Sequence, residues 1–480
     1  MRTVAVALTF ALALCVSRPA RANGAFPFVS QLVSNSAHPE QLVLRGNFGL
    51  VVSRDAGKNW DWLCEAGMGY QNVEPPIALL DSGVIVLALP TGIARSDSSW
   101  CSFETLSATK GNFVDVSAEH AKPQAAVALS VDLNALSSQV WESLDDGKTF
   151  QPLGPAIKDF VATTIDVAAT DAKVIYVSGT SSEGKGLLLR SGDHGASYQP
   201  HELPSSLLIS TAPYISALDP KALDTVYVRS DSAPGTLMLT RDGGQKFEEM
   251  LRLSAPIKAF ALSPDGSAVL AATVGSGIYR IDTATLKQDK LACTGVWCFT
   301  WTKDGVFACG DIVANGFLVA ASTDEGRTFE SLVTPTCVRG ALACDAATTI
   351  GSACPDAWPS QRSLLGPNAC ITDVPEPDQG CFANAGSGMG GSAALAGAPG
   401  LAGAAGEGVT DGGSGDDSPP EGGAPNETPG GAAGKAMAMP PQPPSDASDG
   451  CDCKAAARGG GTDWAVLVLL ALVGAVRRRK

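Results

Sequence analysis

The residues best placed to do chemistry in this sequence are aspartates that recur in one setting, Ser/Thr-x-Asp-x-Gly-x-x-aromatic. Copies run from Ser53 to Trp60, Ser143 to Phe150, Ser191 to Tyr198, Thr240 to Phe247 and Ser322 to Phe329. A carboxylate beside a glycine could be a general acid, a cation ligand or a cap for its own turn. The spacing favours the cap. An Asp two residues before a Gly can accept backbone N–H bonds inside the turn. The Gly supplies the positive φ of a tight hairpin. The terminal aromatic then fills space against a neighbouring unit. The residues so assigned are Asp55, Gly57, Trp60, Asp145, Gly147, Phe150, Asp193, Gly195, Tyr198, Asp242, Gly244, Phe247, Asp324, Gly326 and Phe329.

Other catalytic patterns fail on their spacing. Gly147-Lys148-Thr149 matches the end of a phosphate-binding loop, but Glu142 stands where that loop needs glycine. No serine in 23–333 occupies a G-x-S-x-G elbow, so a nucleophilic triad has no support. The four histidines, His38, His120, His194 and His201, lack ligand spacing and read as loop residues. No C-x-x-C occurs either, so neither a metal nor another cofactor is expected.

The elements that position these residues follow from the repeat. Ser143 and Ser191 are 48 residues apart, and Ser191 and Thr240 are 49 apart. The two wider gaps each hide a degenerate copy. One is Gly92 to Asp97 followed by Trp100; the other is Gly277 to Asp282. That makes seven units. Each carries short apolar runs between Gly, Asp and Ser turns, such as Val174 to Val177 before Leu187 to Leu189. Four strands in 40–50 residues is the proportion of a propeller blade. The expected fold is all-β, a seven-bladed β-propeller.

The phrase resembles the Asp-box, or BNR repeat, of sialidases, sortilin-type receptors and photosystem-assembly propellers, over residues ~26–333. The resemblance implies that the boxes join the third and fourth strands, on the face away from any ligand. It places binding on the loops between second and third strands: Arg45 to Phe48, Ser181 to Lys185, Arg229 to Asp231 and Asp311 to Asn315. The contacts expected there are Arg45, Phe48, Glu183, Lys185, Asp231 and Asp311, with Phe48 exposed beside Arg45 as an anchor.

Sialidase activity itself is not expected. Proteins of that kind carry an Arg triad opened by an F/Y-R-I-P segment, where this chain has Phe26-Pro27-Phe28-Val29. Tyr176, Tyr227 and Tyr279 lie in strand-like runs rather than as nucleophiles, and those enzymes have six blades. The expectation is a non-catalytic surface recognition or scaffold propeller, a monomer that binds a protein or polysaccharide. A secreted glycoside hydrolase with an unrecognised carboxylate pair is the alternative.

The ends suggest export. Arg2, an apolar run from Val4 to Val16 and Ala20-Arg21-Ala22 read as a signal peptide over 1–22. Residues 384–450, built of Gly, Ala, Pro, Ser and acids, read as a disordered stalk. The tail, 451–480, holds Cys451, Cys453, a short hydrophobic segment 464–476 and Arg477-Arg478-Arg479-Lys480. It resembles the MYXO-CTERM sorting tail of myxobacterial surface proteins. That resemblance implies processing near Cys451 or Cys453 and display on the cell surface of a Gram-negative bacterium, with membrane association only through the tail. A net charge of −15 argues against nucleic acid as a partner.

Ten cysteines remain between these ends: Cys64, Cys101, Cys293, Cys298, Cys309, Cys337, Cys344, Cys354, Cys370 and Cys381. In an exported chain an even number argues for disulfides. Cys64 and Cys101 follow the aromatics of adjacent blades and could pair across them. The later five fall in a Cys-rich segment, 334–383, expected to be a small disulfide-tied cap or extension. The first unit is expected to hold all four of its own strands, which leaves the closure of the ring without an assigned segment.

Overall fold

Runs of β-branched and aliphatic residues with polar turns every five to ten positions favour antiparallel meanders over any helical packing. The computed structural model describes residues 27–119, 122–205, 212–273, 276–292, 295–312, 314–366 and 370, and these form such meanders. Among the described residues there are seven antiparallel sheets, at 29–63, 77–105, 112–158, 160–202, 213–253, 259–292 and 298–333. Six have four strands in chain order; in the third the outer strand is split into two short pieces. The protein is a seven-bladed propeller. The expected signal peptide, stalk and tail lie outside the described residues, as do Cys293, Cys381, Cys451 and Cys453.

Apolar clusters lie between neighbouring blades, which is what makes the ring cohere. Phe150 of blade 3 packs with Leu80 and Val86 of blade 2, and Phe329 of blade 7 packs with Leu270 of blade 6. The innermost strands are also tied by polar side chains. Gln31 of blade 1 both donates to and accepts from the backbone of Ile77 in blade 2. Asp115 of blade 3 accepts the Ile165 N–H, and Thr164 of blade 4 accepts the Ile215 N–H.

The ring closes without a shared strand. Blade 1 supplies all four of its own strands, and the innermost strands of blades 7 and 1 lie side by side. There the Thr300 hydroxyl donates to Leu32 O. The chain after blade 7 then completes the closure. Residues 339–342 run parallel to the outer strand of blade 1, with Arg339 N–H bonding Trp60 O, Trp62 N–H bonding Gly340 O and Leu342 N–H bonding Trp62 O. A helix, α1 (Thr349–Leu365), follows, capped by the Thr348 hydroxyl on Gly351 N–H.

The disulfides correct one expectation. Cys64 and Cys101 do not pair with each other; Cys64 bonds Cys354 and Cys101 bonds Cys344. Both bridges therefore join blades 1 and 2 to the extension. Trp62 of blade 1 and Trp358 of α1 meet with ring centroids 5.6 Å apart. Cys298 and Cys309 bond at directly opposed positions within blade 7, and Cys337 bonds Cys370.

Candidate functional site

The repeated turns have one geometry. In the copy on blade 3 the Ser143 hydroxyl donates to Asp145 and accepts the Gly147 N–H, while Asp145 accepts from Thr149 N–H and Thr149 Oγ1 at 2.9 and 2.8 Å. The copies at Asp55, Asp193, Asp242 and Asp324 repeat the Ser/Thr–Asp–Gly pattern. Positions four and five both adopt positive φ, as in His194 (59°) and Gly195 (77°), so the turn needs more than its glycine. Slight burial pushes the Asp145 carboxyl up, but the bonds from Thr149 and Ser143 outweigh it and hold the group below the usual carboxylate range. The Asp193 carboxyl is held down mainly by its bonds from Ser197. Groups fixed in the ionised state this way serve as turn caps and make poor general acids.

The first strands of blades 3 and 4 carry a second set of acids. Asp115 accepts N–H bonds from Val116 and Ile165, and Asp166 accepts from Val167 N–H and the Ser117 hydroxyl. Burial pushes the Asp115 carboxyl up to about 7, with the neighbouring Asp166 charge adding to the rise. Its folded value thus lies above the unfolded one, near 4. The associated stability is complete below about pH 4 and is lost as pH rises through about 7. Stability should fall by about 4 kcal/mol across that window. Asp115→Asn, which keeps one acceptor, should flatten the fall. An unchanged pH profile would assign the titration to another group.

On the face opposite the turns, the second and third strands of blade 3 (Ala126–Asp132 and Ser137–Ser143) meet in a loop beside an open groove of about 400 Å3. Lys110, Asn112, Ser130, Asn134 and Gln139 line it with amide, hydroxyl and ammonium groups. Leu133 and Leu136 stand on the loop tip, 39% and 41% exposed. They are two of only four large hydrophobic side chains that the described residues expose, and Leu136 has φ 48°. The one carboxylate lining the groove, Asp132, is engaged by the N–H groups of Asn134 and Ala135 in its own turn. An acid pair is therefore absent from its lining.

The residues expected at the ligand face share that face but do not converge. Phe48 is a correction: it is buried, not exposed, because the ring folds back over Gly46 and its carbonyl accepts the Trp62 Nε1–H bond. Arg45 points inward to the Ser30 hydroxyl and Glu74 O. Lys185 pairs with Glu202 at 3.0 Å and lies 3.9 Å from Glu183. Asp231 pairs with Lys258 at 2.8 Å, and Asp311 bonds Trp297 Nε1 and Ala314 N–H. The blade 3 loop escaped the sequence reading; its visible signal is two leucines in an otherwise polar turn.

The chain matches no family model and no curated protein sequence. Among solved structures it is similar to YCF48 from Cyanidioschyzon merolae, at 14% identity and TM-score 0.46, covering 58% of this chain and 92% of that one. An ancestral GH74 enzyme gives 14% identity and TM-score 0.48, over 65% of this chain and 45% of the enzyme. The β-propeller domain of Cps50 (Swd1) from Myceliophteria thermophila gives 11% and 0.41, over 59% and 93%.

Proposed function

We propose that this propeller is a non-catalytic recognition module, displayed outside the cell, that binds an extended polysaccharide or polypeptide along the blade 3 groove. The carrying observation is the groove's chemistry: amides and hydroxyls with two exposed leucines at the rim and no acid pair. Amide groups satisfy the hydroxyls or peptide groups of an extended chain, and exposed apolar side chains supply the desolvated contact. Hydrolysis of a glycosidic bond needs two carboxylates facing across the substrate. The acids of the repeated turns are instead committed to groups of their own turns.

The test is a glycan and peptide array probed with the purified protein, read for binding and for product release. Leu133→Asp and Leu136→Asn should each weaken binding at least ~10-fold. Both side chains are exposed, so the melting temperature should stay unchanged. Product release would replace this reading with the hydrolase alternative.

A further inference from the structure

On the turn face, three ligand-type side chains converge between blades 3 and 4. Glu119 follows the innermost strand of blade 3, in a loop closed by its own N–H on Ala125 O. Glu142 is the penultimate residue of the third strand of that blade, and His194 is the fourth residue of the blade 4 turn. One oxygen from each glutamate and one imidazole nitrogen all lie within 4.8 Å of one another. His194 Nε2 is 2.8 Å from Glu142 Oε1.

Glu119 is what makes the cluster unusual. It is 3% exposed, and neither carboxylate oxygen has a hydrogen bond. Burying an ionised carboxylate without hydrogen bonds is costly, so such groups are normally paired or bound to a metal. The compensation present is the Lys122 ammonium, 3.5 Å from Glu119 Oε2 and 3.5 Å from Glu142 Oε1. That side chain is 43% exposed. A single positive charge thus hovers at the focus of two carboxylates and an imidazole, at distances longer than a good charged hydrogen bond.

We propose that Glu119, Glu142 and His194 form a divalent transition-metal site that clamps blade 3 to blade 4, with Lys122 holding the place of the ion until metal displaces it. Two carboxylates and one imidazole suit Zn2+ or Mn2+ better than Ca2+, which takes oxygen ligands alone. Zinc bonds of about 2.0–2.2 Å to these three atoms would leave a fourth position for water. The three donor atoms already lie within 4.8 Å of one another; to take the ion, Lys122 must leave and the 2.8 Å His194–Glu142 contact must open.

The test is calorimetric titration of Zn2+ into the EDTA-stripped full-length protein with free thiols alkylated, alongside its variants. Wild type should bind one equivalent more than Glu119→Gln or His194→Ala. Lys122→Gln, which removes the competitor, should tighten binding about 10-fold. Zn2+ should raise the melting temperature of wild type but not of Glu119→Gln. His38→Ala, at an exposed histidine outside the cluster, should leave the titration as in wild type. Melting curves in EDTA show whether each variant is folded. Equal binding by wild type, Glu119→Gln and His194→Ala would overturn the site. So would unchanged affinity in Lys122→Gln together with a loss of stability in EDTA, which would make Lys122 the permanent counter-ion.

Discussion

A Cys344→Ser/Cys354→Ser double variant should melt about 10 °C or more below the wild type, and each single variant should fall less than half as far. The reason is the topology of the two bridges. They join positions 290 and 243 residues apart, so the first to form closes nearly the whole propeller. Once it exists, the second closes only the short loop made by 64–101 and 344–354, and loop entropy grows with the logarithm of that length. Either bridge alone therefore retains most of the closure. We expect about 2–3 kcal/mol for one bridge and about 5–8 for both, measured by calorimetry. A double variant that melts with the single ones would mean that the latch is held by apolar contact. In that case the Trp62–Trp358 pair and the three backbone bonds to residues 339–342 would be its substance.

The contrast between this latch and the repeated turns shows what the sequence makes legible. All the partners of Asp145 lie within eight residues, from Ser143 to Phe150, so the turn and the strands it joins can be read from a local phrase. The partners of Cys64 and Cys101 cannot, because they are fixed only when the ends of the ring meet. The helix that carries Cys354 is disguised as well. It contains Pro355 and Pro359, each of which removes a backbone donor and disfavours a helix interior, so the segment reads as irregular. Disulfides and the packing of Ile350, Cys354 and Leu365 against blade 1 override that preference. Phe48 fails for a related reason. A turn between two strands reads as exposed, but here the Phe48 ring folds back over Gly46, and Gly49, at φ 110°, lets the backbone approach Leu63 O. The Glu119–Glu142–His194 cluster is assembled across two blades from residues 23 and 52 positions apart, beyond any short metal-binding spacing.

Trp60→Ala should cost about 4 kcal/mol, more than loss of any acid in the repeated turns. Trp60 is 1% exposed and sits in the cluster shared by blade 1, blade 7 and the extension. Its indole N–H donates to Gly57 O at 2.8 Å inside its own turn, and its carbonyl accepts the Arg339 N–H that starts the latch. Truncation would open a cavity where three parts of the fold meet and leave the Gly57 carbonyl without its donor. Trp60→Phe keeps most of the ring and loses the bond, so it should cost about 1–2 kcal/mol. Asp145→Ala removes three acceptor bonds at a turn open to water and should cost about 1–2 kcal/mol. Urea unfolding of the three variants ranks these terms. If Asp145→Ala matched Trp60→Ala, the turn's hydrogen bonds would be the chief stabiliser of each blade. The expected order instead makes the aspartate a fitting that shapes the turn and the aromatic the anchor that fixes one blade to the last.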